Sequence, residues 1–311
     1  MSLYQVPILV NGATHSAEQF RAMVQDLARG AEGITQGGDL KVTQLSTPGA
    51  GVQVVDGSGL VRGKVSAFQG TYSVRNQGAA TVDIVATGGS ARSDMVILRV
   101  EDPQYEGTLD PAVDQINYFQ VISGVSPAAT TIPDGRTGIP LARIDIPAST
   151  STITNAYIKD IRAVANPRRD RQMLTQFPAS QAASITNSNG AWQTFSTAAG
   201  WNIAIPTWAS TARIRIDIAQ IKYTTAQFIG ALRATFGASL TLQQVILDDN
   251  QTAIRRAVAV VADTLTIPDA YRGTTQLLRP QATGTSGNTG AVTVDASTTL
   301  IADVEFFEGP R

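Results

Sequence analysis

The 311-residue sequence has no cysteine, a single histidine and few charges. Without cysteine there are no disulfides, thiol nucleophiles, iron–sulfur ligands or cysteine-type zinc sites. A Ser-His-Asp arrangement would have to recruit His15, and no Gly-x-Ser-x-Gly elbow accompanies it. His15 and Glu18 stand at an H-x-x-E spacing but lack the further partners of a metal site or acid–base pair. His15 therefore reads as a surface turn residue. Charged residues make up only 16% and the net charge is −1, which gives no basic footprint for nucleic acid. The cluster Arg168-Arg169-Asp170-Arg171 is too short and interrupted to alter that. No apolar run has the length of a membrane helix, so no membrane insertion is expected. Met1 to Pro7 lacks the basic region and apolar core of a signal peptide. No Walker-type phosphate loop is present; Gly88-Gly89 lacks both its spacing and the following helix. No cofactor is expected.

What the sequence does hold is β patterning. Hydrophobic residues reach 43%, enough for real cores, and solubility rests on Thr, Ser, Gln and Asn more than on charge. One helix is signalled. Ser16 and Gln19 have capping-box spacing, and Phe20, Met23, Val24 and Leu27 form one apolar stripe. Gly30 ends the element. A short amphipathic helix over 17–29 is expected, its stripe packed on the adjacent sheet or against another subunit.

After Gly38 the chain alternates. Strands are expected at 40–45 and 51–54, with Pro48-Gly49 as turn chemistry between them. Tyr72 to Asn76 and Thr81 to Ile84 read as a hairpin about Gln77-Gly78, and Gly57-Ser58-Gly59 reads as a hairpin turn. Met95-Val96-Ile97-Leu98 is continuously apolar, as in a central strand covered on both faces. Residues 101–114 read as a loop, followed by strands at 118–122 and 143–146 and a closing segment at 157–162. Asn166 to Arg171 reads as exposed linker, because the charge run has nowhere apolar to bury. The division that follows is an N-terminal β module over 1–166, a linker over 167–180 and a C-terminal domain over 181–311.

In the C-terminal domain Arg213 to Ile218 alternates without a break, and roughly eight strands are spaced as in a β-sandwich of jelly-roll type. Residues 226–235 fit either a strand or a short helix. The fold class is therefore mainly β: a short helix with a sandwich-like or barrel-like module, then a jelly-roll-like sandwich. Trp192, Trp201 and Trp208, all the tryptophans of the chain, fall within 17 residues. Exposed, they would make a glycan platform. Buried, they would be core or interface, which Ile203, Ile205 and Pro206 between two of them favour. Glu101-Asp102 and Asp248-Asp249 are the carboxylate pairs that glycoside hydrolysis could draw on. Asp248-Asp249-Asn250 lacks the alternating ligands of a calcium loop and reads as a solvated turn. An enzyme is not expected.

The order of phrases over 34–164 carries a resemblance. Gly37 to Val42 is followed by Gly51-Val52-Gln53-Val54-Val55-Asp56-Gly57-Ser58-Gly59 up to Gly63, then by Gly70-Thr71-Tyr72-Ser73-Val74. Ser93-Asp94 leads into Met95 to Val100, a Pro/Gly loop follows, then Ile139-Pro140-Leu141-Ala142 and Ile158-Lys159-Asp160-Ile161-Arg162. That order resembles the N-terminal module of minor tail and baseplate proteins of tailed bacteriophages that infect actinobacteria. Residues 181–311 match no family in this way. The resemblance implies a module that docks into the tail tip or baseplate, commonly as a trimer or ring, with other tail proteins as partners. It also implies a virion component assembled in the host cytoplasm, whose C-terminal domain decorates the tail or contacts host cell-wall glycan as a receptor-binding protein. No catalytic residues transfer, because the shared pattern is structural.

Overall fold

In the computed structural model, which describes residues 8–198 and 200–311, the capping box at Ser16 starts helix α1 (Ala17–Leu27). The Ser16 amide donates to Gln19 Oε1 at 2.9 Å and the Gln19 amide to Ser16 Oγ at 3.1 Å. The helix stops two residues short of the expected 17–29, with Arg29 and Gly30 both at positive φ. Its stripe is only partly covered within the chain, Met23 and Val24 being half-buried. No residue of α1 is buried, and Phe20 and Leu27 are 42% and 75% exposed.

The chain divides into one unit that runs to Pro167 and includes Gly309–Arg311, and a second, Arg168–Glu308. The first contains β1 (Gly33–Ile34), β2 (Val42–Gly49), β3 (Gly51–Val54), β4 (Gly57–Arg62), β5 (Thr71–Asn76) and β6 (Ala80–Asp83). It continues with β7 (Arg92–Val100), β8 (Asn117–Ile122), β9 (Gly138–Ile146) and β10 (Ile158–Asp160). The sheets run β1-β4-β5, β2-β3-β6 and β10-β9-β7-β8, every named pair antiparallel, and no closed barrel forms.

Strands β5 and β6 do not form the expected hairpin with each other. β5 pairs with β4 and β6 with β3, so 51–62 and 71–83 are the arms of one long hairpin, interrupted midway. The Asn76 side-chain amide donates to Val55 O at 3.0 Å and Gly78 O at 2.8 Å, which carries the chain through a kink instead of a reversal. Gly78, at φ +83°, accommodates that kink. Gly57-Ser58-Gly59, expected as a turn, is likewise the start of β4.

The main core of this unit joins Val52, Val54 and Val61 from the long hairpin to Val96, Leu98, Leu141 and Ile144 from the four-stranded sheet. Met95 and Ile97 point to the other face of that sheet and pack with Val125, Ile122 and Ile132. The unbroken apolar run of β7 is thereby explained: its strand is central and both faces are covered.

In the second unit the segment expected as linker is a strand. β11 (Arg169–Gln176) pairs residue for residue with the last strand of the chain, from Arg169 opposite Phe307 to Gln176 opposite Leu300. The charge run needed no apolar burial because the partners bring carboxylates. Arg168 meets Glu308 at 2.6 Å and Arg171 meets Asp303 at 2.6 Å.

Then come β12 (Gln193–Thr194), β13 (Trp201–Ala204), β14 (Thr211–Thr224), β15 (Phe228–Phe236), β16 (Leu240–Thr241) and β17 (Val245–Asp249). β18 (Arg255–Thr266), β19 (Thr275–Gly284), β20 (Ala291–Thr293) and β21 (Thr299–Phe307) complete the unit. One sheet runs β11-β21-β14-β18, and the other β13-β19-β15-β17 with β12 and β16 beside it. Counting these eight principal strands from one, the sheets run 1-8-3-6 and 2-7-4-5, the strand order of a jelly roll. Residues 226–235, whose pattern fits strand or helix, fall largely in β15. Phe228, Leu232, Ala234 and Phe236 alternate into the core against Ile214, Ile216, Val304 and Phe306.

Candidate functional site

Helix α1 is tied to the first unit by a polar network as well as by the half-buried part of its stripe. Arg21 Nε donates to Gln69 O at 2.7 Å, its Nη2 donates to Gln104 Oε1 at 3.0 Å, and its guanidinium lies 5.2 Å from the Tyr72 ring centre. Its Nη1 is 3.4 Å from the Asp102 carboxylate, to which the Tyr72 hydroxyl also donates at 2.7 Å. Burial, reinforced by that bond to Asp102, pushes the Tyr72 hydroxyl far above its ordinary range, so it stays a donor. Gln69 Nε2 extends the network to Tyr72 at 3.1 Å and Thr137 at 3.3 Å.

The carboxylates considered for hydrolysis are engaged in separate contacts. Asp102 belongs to the Arg21 network, whereas neighbouring Glu101 accepts from the Tyr118 hydroxyl at 2.7 Å. Asp248 is exposed and Asp249 pairs with Arg255 at 2.8 Å. Both residues belong to β17, where a solvated turn was expected. His15 accepts from the Leu9 amide at 3.2 Å and meets Phe20 edge-on at 6.0 Å. Among the described residues no group of three or more His, Cys, Asp or Glu side chains is placed to hold a metal ion. None of the described helices is long and apolar enough to cross a membrane.

Beside the network a cleft of about 710 Å³ opens between α1 and β5, lined by Phe20, Val24, Tyr72, Val74, Val100 and Pro111 among others. A second hollow of about 490 Å³ continues past Val74 and Asn76 along β6 and faces β8. Each of the three strands along it has one named partner: β5 pairs with β4, β6 with β3 and β8 with β7. The walls are thus sheet edges that still offer backbone donors and acceptors.

The three tryptophans do not meet as a platform. Trp201 lies on β13 opposite Leu278 of β19 and is 7% exposed within the core, its Nε1 buried without a partner among the described residues. Trp208 is half-buried against the same core and is capped by Arg168 at 5.4 Å, a cation that Glu308 neutralises. Trp192 stands apart. It precedes β12, whose Thr194 lies opposite Gln281 of β19, and its ring is 4.1 Å from the Arg233 guanidinium. Arg233 lies opposite Gln281 in the next ladder and donates to its Oε1 at 3.0 Å. This cluster occupies the outer face of the β13-β19-β15-β17 sheet, since Leu232 and Ala234 on either side of Arg233 point into the core. Among the described residues no carboxylate pairs with Arg233, and loss of hydration pushes its pKa down. Sequence reading found Trp192 but not Arg233, because the missing counter-charge is visible only in three dimensions.

The other sheet carries a cluster with a pH consequence. Asp295 lies 2.6 Å from Arg256 and 3.5 Å from Lys222 and accepts from the Ser297 amide at 3.0 Å. Chiefly through Arg256, these contacts hold its carboxyl down from 3.8 to about 2. A depressed folded-state pKa stabilises above the unfolded value and is lost as pH falls through the folded one. The second unit is therefore expected to lose on the order of 2 kcal/mol from this carboxylate alone between about pH 4 and pH 2. Thermal unfolding across that range checks this, with Asp295→Asn expected to flatten that part of the profile.

No protein-family model and no curated protein matches the chain. Among solved structures it is similar to a structure of infectious bursal disease virus, Gx strain, at 13% identity and a TM-score of 0.27, over 90% of this chain and 76% of that one. It is also similar to the infectious bursal disease virus VP2 subviral particle, at 13% identity and a TM-score of 0.25, over 90% of this chain and 79% of that one. A Bacillus thuringiensis Cry1Da tryptic core variant aligns at 10% identity and a TM-score of 0.21, over 98% of this chain and 57% of that one. Likeness at this level stops short of a shared overall fold, and no activity or assembly passes from these proteins to this chain.

Proposed function

We propose that the chain is a non-enzymatic structural component of a phage tail tip or baseplate. The first unit docks to the tail through contacts with other tail proteins, commonly as a trimer, and the C-terminal domain projects outward. The observation that carries this reading is the docking-ready surface of the first unit. Helix α1 leaves half of its apolar stripe uncovered, with Phe20 and Leu27 42% and 75% exposed, beside a cleft walled by the edges of β5, β6 and β8. A stripe and edges of this kind favour a protein partner, because both are otherwise liabilities for a soluble chain. The phrase order over 34–164, which resembles minor tail and baseplate proteins, supplies the identity of that partner class. The receptor-binding alternative rests on Trp192, the tryptophan that lies on an outer sheet face.

The test is immunogold electron microscopy of particles released by lysis of the source host, with antibodies raised against this chain. Label at the tail tip is expected. Particles free of label, or labelled only on the head, would overturn the assignment.

A further inference from the structure

We infer that the outer face around Arg233 and Trp192 is a binding site for an anionic saccharide, with a carboxylate or phosphate group received by the Arg233 guanidinium. The inference concerns the second unit and does not depend on how the first is docked.

Three observations converge on it. The first is the missing counter-charge. Of the paired arginines in this unit, Arg168, Arg171, Arg213, Arg215, Arg255, Arg256 and Arg272 each have a carboxylate within 4 Å. Arg233 is half-buried, yet among the described residues it meets only the Trp192 ring and the Gln281 side chain. A partly desolvated cation without a partner is costly unless something else supplies the anion.

The second is preorganisation. The bond from Nε to Gln281 at 3.0 Å and the stack on Trp192 at 4.1 Å fix the plane of the guanidinium, while neither terminal nitrogen has a partner among the described residues. A fixed fork with both terminal nitrogens available matches the geometry of a carboxylate or phosphate. Arg168 makes the contrast within the same unit: it too lies over a tryptophan, but Glu308 already occupies its fork.

The third is the company around the charge. On the strands of this sheet the one carboxylate pointing outward is Asp248, opposite Ile229 and four residues along β15 from Arg233. Thr194, directly opposite Gln281 and exposed, adds a hydroxyl beside the indole of Trp192. Hydroxyl, amide and indole around one cation suit a charged sugar better than a bare ion.

Calorimetric titration of the full chain tests this with four probes: a hyaluronan hexasaccharide, glucosylated poly(glycerol phosphate), neutral chitohexaose and poly-glutamate. Either charged saccharide is expected to bind, and which one does separates carboxylate from phosphate. Arg233→Gln should weaken that binding at least tenfold, whereas Arg169→Gln, on the other sheet over Phe307, should leave it unchanged. The unfolding midpoint of Arg233→Gln should stay level or rise, since the substitution removes an uncompensated charge. Failure of both charged saccharides to bind at millimolar concentration would overturn the inference. So would equal affinity for chitohexaose or poly-glutamate, binding that survives Arg233→Gln, or a fall of several degrees in the midpoint of that variant.

Discussion

Asp94→Ala is expected to destabilise the first unit by about 2–4 kcal/mol, the cost of removing a buried carboxylate from a half-buried arginine and a backbone N–H. Asp94 is fully buried on β7 and accepts from both Nε and Nη2 of Arg92 at 2.8 Å. Its Oδ1 also accepts from the Gly124 amide at 3.0 Å, where the chain leaves β8 for the segment that covers the second face of the sheet. Alanine would leave a guanidinium without its counter-charge and a backbone N–H without an acceptor. Asp94→Asn keeps an acceptor for Gly124 and should lose less. Adding Arg92→Met to Asp94→Ala should recover part of the loss, because the stranded cation is then gone. Chemical denaturation followed by hydrogen exchange at Gly124 reads both effects. A loss below 1 kcal/mol in the single variant would show that the pair does not support the unit.

The same strand shows what local pattern can and cannot carry. The run Met95 to Leu98 identified a doubly covered central strand, because burial on both faces is written in consecutive residues. The partners of that strand are not written there. The pattern about Gln77-Gly78 is that of a tight hairpin, whereas 51–62 pairs with 71–83 in a long one, since Asn76 supports a kink there through a long-range bond to Val55. The linker at 167–180 failed for a related reason. Arg169 to Gln176 shows no apolar alternation, and its strand character comes from residues more than 120 positions away in β21. Jelly-roll character was legible because Arg213 to Ile218 and the spacing of the following strands carry period two.

The site was less legible than the fold. Trp192, Trp201 and Trp208 fit either a platform or a core, with core favoured by their neighbours; the pleat sends Trp201 inward, while Trp192 meets Arg233 on the outer face. Arg233 sits in the sequence Ala231-Leu232-Arg233-Ala234-Thr235, which gives an ordinary strand with one outward charge. Its distinction is that no carboxylate meets it among the described residues. The spacing of the helix stripe is legible but its partner is not: Met23 and Val24 are half-buried, Phe20 and Leu27 stay exposed, and Arg21 ties the element to Asp102 and Gln69.

Gly33→Ala is expected to have an effect of similar size, about 3–5 kcal/mol on the first unit, through backbone strain and lost hydrogen bonds. Gly33 has φ +135°, and a Cβ there would lie 2.1 Å from Ala163 O. The close approach has a structural purpose. β1 runs between β4 and residues 163–165, with Ile34 opposite both Gly59 and Val164. Its amide donates to Ala163 O and its carbonyl accepts from Ala165 N, each at 2.8 Å. Ile34 is itself fully buried in the main core. These bonds tie the start of the unit to its end, so a side chain at Gly33 would push apart the contacts that close it. Strain at a positive φ adds on the order of 1–3 kcal/mol, and each weakened backbone bond about 1 kcal/mol. Gly38→Ala is the matched control, because nothing lies within 4 Å of the Cβ it would add. Calorimetry should show the first unit's transition falling in Gly33→Ala, with faster exchange at the Ile34 and Ala165 amides, and no fall in Gly38→Ala. An unchanged midpoint in Gly33→Ala would mean that the 163–165 segment yields without cost, and that the unit is closed by its core alone.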